Sequence, residues 1–180
     1  KHLNTVIAGS GCYLPPRVVK NDHFLSTEFY DTDGKRIERT NEDIVEKFRE
    51  LVGITERRYV EDGVNNSDMA AEAARRAIEA WGGDPETLDY VIVAHNYADI
   101  PETTYCSEMV PSVSARVKHK LGIKNRHCIP YDMIFGCPGW VQGVILAHHL
   151  IQARLAHNVL VVGSDTLSRI CDPHDRDQMI

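Results

Sequence analysis

Met133-Ile134-Phe135-Gly136-Cys137-Pro138-Gly139-Trp140 is an apolar run that stops at Gly-Cys-Pro and passes into a longer apolar run. Cys128 to Phe135 reads as a strand. Pro138 to Ala156 reads as a helix apolar on most faces, which predicts a buried helix. Pro138 suits the first helical position, because its ring fixes φ and its missing N–H would have no partner there. Cys137 therefore stands at a strand-to-helix junction. A thiol at a helix start faces unpaired backbone N–H groups and the positive end of the helix dipole. Both favour the thiolate, which is the nucleophilic form. The other reading of Cys137 is a small buried apolar residue.

Outward from this junction the same alternation recurs. Asp89 to His95 is a buried-type strand. Pro111 to Leu121 reads as a helix with Val113, Val117 and Leu121 in line and Gly122 at its end. Asn158 to Val162 is a strand that runs into Gly163-Ser164-Asp165. Strands alternating with helices from Asp89 onward imply right-handed crossovers and a mainly parallel α/β sheet covered on both faces. Active residues in such sheets lie beyond the carboxyl ends of the strands. Cys137, His95 and Asp165 occupy such ends.

Toward the amino end, Leu3 to Ser10 predicts a strand, followed by a turn at Pro15-Pro16. Gly9-Ser10-Gly11 lacks a third glycine and no helix follows it, so it is not read as a phosphate loop. Residues 20–40 are polar, carry an Asp31-Thr32-Asp33-Gly34 turn and predict a surface insertion. Asn41 is placed as a helix cap, with Ile44, Val45, Phe48, Leu51 and Val52 on one face and Gly53 as the stop. Thr55 to Val60 predicts a short strand. Asn66 or Ser67 caps a second helix whose packed face is Ala70, Ala73, Ala74, Ala77, Ile78 and Trp81, with Gly82-Gly83 closing it. No linker or repeat interrupts residues 1–180, which read as one domain or part of one.

Composition narrows the function. The chain has 180 residues, 43% of them hydrophobic and 26% charged, with a net charge of −6. That balance is globular, and the sign does not attract phosphate backbones, which argues against nucleic-acid binding. No apolar run is long enough to span a bilayer. The amino end is too quickly polar for a signal peptide. The five cysteines (Cys12, Cys106, Cys128, Cys137, Cys171) are scattered without a C-x-x-C pair. This argues against a disulfide framework and a structural zinc site, and points to a reducing cytoplasm. None of the nine histidines falls in a metal-ligand spacing, and adjacent His148 and His149 point in different directions on a helix. No metal site is expected.

Several motifs, taken in order, resemble ketoacyl-acyl-carrier-protein synthase III of the thiolase superfamily. Val161-Val162-Gly163-Ser164-Asp165 through Cys171-Asp172-Pro173-His174-Asp175-Arg176 resembles the segment after that family's fourth strand. Ile7 to Pro15 resembles its opening strand, and Gly53-Ile54-Thr55-Glu56-Arg57 its G-I-x-E-R segment. Pro111-Ser112 with Leu121-Gly122-Ile123-Lys124 resembles the helix and turn before the nucleophile strand. The resemblance covers nearly the whole chain and implies the amino-terminal βαβαβ half of a thiolase-like fold.

It also implies a chemistry. An acyl group would pass from coenzyme A to Cys137, and a malonyl thioester on acyl carrier protein would then be decarboxylated to a carbanion that attacks the acyl-cysteine. That is the step that initiates fatty acid synthesis. No bound cofactor is implied; coenzyme A and acyl carrier protein thioesters are substrates. By resemblance Arg176 contacts a coenzyme A phosphate, or else pairs with Asp172, Asp175 or Asp177. By resemblance Val110, before the Pro-Ser pair, reaches the acyl pocket of a partner subunit in a homodimer. The edge around Asp89 to Tyr105 is the stretch expected to pair across the two-fold axis.

The family's enolate-stabilising His and Asn belong to its second half and match no residue here, so this chain alone is expected not to condense. His95 and His127 read as packing or surface histidines. Lys47 and Leu51 align where the family carries Trp and Arg at the coenzyme A entrance, and residues 28–40 are longer than its pattern. These departures keep a synthase III paralogue of specialised metabolism as the second reading. A non-catalytic thiolase-like partner subunit is the reading from another class. Trp140 either narrows the acyl pocket or fills core.

Overall fold

The computed structural model describes residues 4–178. They form two compact units. One comprises the described part of Lys1–Leu14 with Asp62–Thr166, and the other Pro15–Glu61 with the described part of Leu167–Ile180.

The larger unit is built on a parallel sheet of β3 (Tyr90–His95), β4 (Ile129–Ile134) and β5 (Val159–Gly163), in the order β4-β3-β5. β3 reads as a continuous apolar run because it is buried on both faces; Val91, Ile92 and Val93 are each 0% exposed. Alternate strand residues divide between the faces. Val91, Val93, Leu160 and Val162 meet α2 (Asn66–Trp81) and α3 (Val113–Lys120) through Ala70, Ala71, Ala74, Val113 and Val117. Ile92, Ala94 and Val161 meet α4 (Gly139–Gln152) on the opposite side. The sheet is thus parallel and covered by helices on both faces, as the alternation implied.

α4 lies close to the sheet because a row of small residues faces it. A Cβ on Gly143 would stand 2.8 Å from Val161 Cγ1, and one on Gly139 3.1 Å from Ala94 Cβ. Gly143→Val is expected to lower stability by roughly 1–3 kcal/mol, because the added methyls have no room without moving the helix. Thermal denaturation checks it, at about 2–4 °C per kcal/mol for a chain of this size.

The opposite side of α4 corrects an expectation. The helix is not buried all round: Trp140, Val141 and Ile145 are 48%, 53% and 42% exposed. One sheet face covers one side of a helix, and the other side stays largely exposed, with Thr5 Oγ1 at 3.0 Å from His148 Nδ1. Trp140 accordingly does not fill core. Its Cβ lies against Gly163, where a Cβ would stand 2.9 Å away, and its side chain remains half exposed.

Residues 4–15 form no strand, and Leu3 lies outside the described residues. The segment lies against α2 and joins no ladder. Gly9 and Gly11 permit that approach, since a Cβ at either would stand within 2.6 Å of Ala77 O or Ala73 O. Arg76 donates to Cys12 O at 2.8 Å and lies over the Tyr13 ring. The helix cap also moves. Asn65 precedes α2 and forms a capping box with Asp68, so neither Asn66 nor Ser67 is the cap.

The expected two-fold edge is corrected as well. β3 is the central strand, with β4 on one side and β5 on the other, so its stretch of Asp89 to Tyr105 offers no open ladder. The outer edges belong to β4 and β5. On β4, Ile129 and Tyr131 are 46% and 47% exposed.

The smaller unit holds an antiparallel pair, β1 (Arg17–Lys20) with β2 (Glu56–Tyr59), and helix α1 (Asn41–Val52). Its core is Val19, Phe24, Phe29, Ile44 and Phe48. Residues 20–40 are therefore more than a surface insertion, because Phe24 and Phe29 are 1% and 2% exposed. Arg57 lies over the Phe24 and Phe48 rings at 4.9 and 5.4 Å and donates to Asn21 Oδ1, closing one side of this core. The Asp31 carboxylate accepts from Asp33 and Lys35 N–H in the expected turn. Thr40, not Asn41, caps α1 by accepting from Asp43 N–H. Asn41 instead donates to Leu25 O and Thr27 O, fastening the polar segment to the helix. Gly53 ends α1 with φ +69°.

Candidate active site

The carboxyl ends of β3, β4 and β5 lie side by side, and Cys137 follows the outer strand β4, three residues beyond Ile134. A turn makes the junction. Gly136 has φ +75°, which a side chain would strain, and Gly139 N–H donates to Gly136 O at 3.0 Å. Pro138 is the cap residue and Gly139 the first helical one, so the helix starts one residue later than the ring of Pro138 suggested. The Cys137 thiol is exposed and free. That excludes the buried-core reading, which fits Cys128 instead: it is 1% exposed, and burial pushes its thiol pKa up.

Two side-chain clusters hold this edge. Asp165, just past β5, accepts from Asn96 N–H at 3.0 and 3.1 Å and from Asn96 Nδ2 at 2.6 Å. Ser164 N–H donates to Ala94 O, so the ends of β3 and β5 are joined. Asn96 borders the Gly136 turn, since a Cβ on Gly136 would stand 3.8 Å from Asn96 Oδ1. The second cluster is centred on Asp132 in β4. It faces His95 Nε2 at 3.0 Å and accepts from Val113 N–H at 2.9 Å and Ser114 N–H at 2.7 Å. Ala98 N–H donates to His95 Nδ1, which places the ring proton on Nε2, toward Asp132. His95 is 2% exposed and fully committed to this cluster.

Burial pushes the Asp132 carboxyl up. Hydrogen bonds from His95, from the Ser114 side chain and backbone and from Val113 N–H outweigh it and bring its pKa down to about 2. The folded pKa lies below the unfolded value of about 3.9, so the cluster stabilises the fold above that value. The contribution, of roughly 2 kcal/mol, is lost as pH falls from about 4 to about 2. Urea unfolding at pH 5 and pH 3 is expected to show about half of that loss in the wild type and a smaller one in Asp132→Asn. Equal losses would exclude Asp132 as the source.

Val110 lies in the loop before α3 and is 88% exposed. Arg176 belongs to the smaller unit. It lines a cavity of about 250 Å³ with Arg39, Ile44, Lys47, Phe48, Leu51 and Asp177. Its Nε and a terminal nitrogen contact Asp177 Oδ1 at 2.9 and 2.8 Å, so one of the anticipated ion pairs exists. The structure thus brings Lys47, Leu51 and Arg176 together. It adds Arg39, which sequence reasoning passed over as part of a polar segment. Two guanidinium groups and one ammonium beside an apolar wall suit an anion carried on a planar apolar group. Asp132 was also passed over, although a lone charge between Tyr131 and Met133 in an apolar strand signals a buried partner. Among the described residues no three His, Cys, Asp or Glu side chains gather to hold a metal ion, and no helix is long and apolar enough to cross a membrane.

Comparison with known proteins gives a consistent result. The family 3-oxoacyl-[acyl-carrier-protein] synthase III matches residues 131–180, which include Cys137 and Arg176. Beta-ketoacyl-[acyl-carrier-protein] synthase III 1 of Vibrio vulnificus is 37% identical over 174 residues, covering 97% of this chain and 48% of that protein. The chain therefore spans about half the length of the curated relatives it matches. Among solved structures, beta-ketoacyl-[acyl carrier protein] synthase III of Thermus thermophilus superposes with a TM-score of 0.76 at 32% identity. It covers 96% of this chain and 46% of its own. The priming beta-ketosynthase of the R1128 polyketide biosynthetic pathway superposes with a TM-score of 0.75 at 26% identity, over 94% and 44%. With its parallel sheet between helices and its free cysteine at the β4–α4 junction, the chain corresponds to the amino-terminal half of a ketoacyl-acyl-carrier-protein synthase III-like protein of thiolase-like fold.

Proposed function

We propose that residues 1–180 form the amino-terminal thiolase-like domain of an acyltransferase that carries out decarboxylating Claisen condensation through an acyl-cysteine. The observation that carries this reading is the exposed thiol of Cys137 at the start of a 14-residue helix, in a chain 37% identical to a beta-ketoacyl synthase III. Cys137 attacks the acyl-coenzyme A thioester, and the carbonyl oxygen gains charge as the tetrahedral intermediate forms. Backbone N–H groups at the β4–α4 turn are suited to receive that charge. Coenzyme A leaves as a thiol, and malonyl-acyl carrier protein supplies the carbanion after losing carbon dioxide. No metal or bound cofactor takes part in this scheme, which runs in the cytoplasm and initiates fatty acid synthesis.

Arg176, with Lys47 and Arg39, holds the phosphates of coenzyme A, and Phe48 and Ile44 give the apolar wall. A phosphate displaces Asp177 from Arg176, because a doubly charged anion accepts the guanidinium fork more strongly than one exposed carboxylate does. The protein is a homodimer. Its two copies meet along the outer edge of β4, where Ile129 and Tyr131 are exposed, and Val110 enters the partner's acyl pocket. The second reading, a paralogue that primes specialised metabolism, is favoured by Lys47 and Leu51 at the coenzyme A entrance and by the likeness to the R1128 priming enzyme. The experiment is carbon dioxide release from malonyl-acyl carrier protein by the full-length gene product. Release that requires a short acyl-coenzyme A supports condensation. Acyl transfer without release contradicts it.

A further inference from the structure

Arg116 lies in α3, five residues after the Pro111 it contacts. Its Nε donates to Pro111 O at 3.0 Å, and one terminal nitrogen donates to Val110 O at 3.4 Å and Glu108 O at 3.5 Å. The other terminal nitrogen reaches Asp99 Oδ2 at 2.8 Å and Glu108 Oε2 at 3.1 Å. One guanidinium thus spans the backbone of residues 108–111. Asp99 anchors the clamp to the rest of the unit. Its side chain is 2% exposed and accepts from Ser67 N–H and Ser67 Oγ, both at 2.7 Å, at the start of α2. Glu108 N–H also donates to Asp99 O.

What this clamp holds is not core. Val110 is 88% exposed, Tyr105 68% and Met109 40%. A charge-assisted network anchored on a buried carboxylate is a costly way to order a surface loop, and a free apolar tip gains nothing from it within its own chain. A fixed backbone with a projecting β-branched side chain suits insertion into another molecule, where each rotation left free would have to be frozen on binding.

We infer that Arg116 is a positioning residue that sets the depth of Val110 in the acyl pocket of a second copy of this chain, and so takes part in selecting acyl chain length. The inference rests on the reading of Val110 given above. The guanidinium fork is essential to it, because an ammonium can keep the Asp99 pair but cannot span three carbonyls at once.

The test uses the full-length protein and kcat/KM for a series of acyl-coenzyme A donors from two to eight carbons. Val110→Ala and Val110→Phe come first. If neither changes the ratio between short and long donors, the reading of Val110 fails and the inference falls with it. If they do, Arg116→Lys is expected to change the same ratio about tenfold, more than it changes the mean activity. A uniform fall across all donors would make Arg116 merely structural and overturn the inference while leaving Val110 in place. Arg116→Gln repeats the measurement; should it not fold, Arg116→Lys decides alone.

Discussion

Replacing Cys137 by Ala in the full-length protein is expected to lower acyl-coenzyme A-dependent condensation by on the order of 10⁴-fold or more, as loss of a covalent nucleophile does elsewhere. Little stability is expected to change with it. The thiol is exposed and lies in a turn fixed by Gly136 and Gly139 rather than by its own packing. Turnover and thermal denaturation on one preparation separate the two effects. Cys128→Ala is the contrasting variant. It removes a thiol that is 1% exposed within the sheet-and-helix core, so it is expected to lower Tm and leave the chemistry intact. Should Cys137→Ala retain activity while Cys128→Ala loses it at equal fold content, the nucleophile would be misassigned.

The second large effect belongs to Arg176. Arg176→Ala is expected to raise KM for acyl-coenzyme A by about 10–100-fold, the range of one lost charge-assisted interaction with a phosphate. The same variant is expected to handle acyl-pantetheine, which lacks the nucleotide, as the wild type does. This comparison discriminates between the two roles of the residue. An Arg176 that serves only its ion pair with Asp177 stabilises an exposed corner weakly, and its loss would affect both donors alike. Because Arg39 and Lys47 line the same cavity, the residual affinity of Arg176→Ala is expected to fall with rising salt.

Much of the larger unit was legible because its signals are local. β3, β4 and β5 are short apolar runs bounded by turn residues, and α2 carries its alanines at helical spacing, so element type follows from periodicity. Strand-helix alternation then implies that the strands run parallel. What failed to show were the features that depend on neighbours distant in sequence. Leu3 to Ser10 has a strand's composition, yet a strand exists only where another offers hydrogen bonds, and this segment lies against α2 instead. Phe24 and Phe29 are isolated aromatics in a polar stretch, with no period to reveal that they meet Phe48. Both cap assignments moved toward the amino end, from Asn41 to Thr40 and from Asn66 or Ser67 to Asn65, since Thr, Asn and Ser all suit a cap and only geometry chooses among neighbours. α4 is apolar on most faces, and composition alone does not say which face finds a partner.

The site divided in the same way. Cys137 stood out because glycine, cysteine and proline at a strand-to-helix junction are a local pattern. Arg116 and Asp132 did not, since each acts through partners supplied by other elements: Asp99 and Glu108 for the one, His95 and the start of α3 for the other. A charge next to apolar strand residues is a sign that such a partner exists, though not which residue it is.

The most direct test of the account is peptide mass spectrometry of the full-length protein after brief incubation with a short acyl-coenzyme A. The predicted result is one acyl group, labile to hydroxylamine as a thioester is, on the peptide that contains Cys137. Acylation of exposed Cys12 or Cys106 in its place, or no acyl group on Cys137 while coenzyme A is still released, would contradict it.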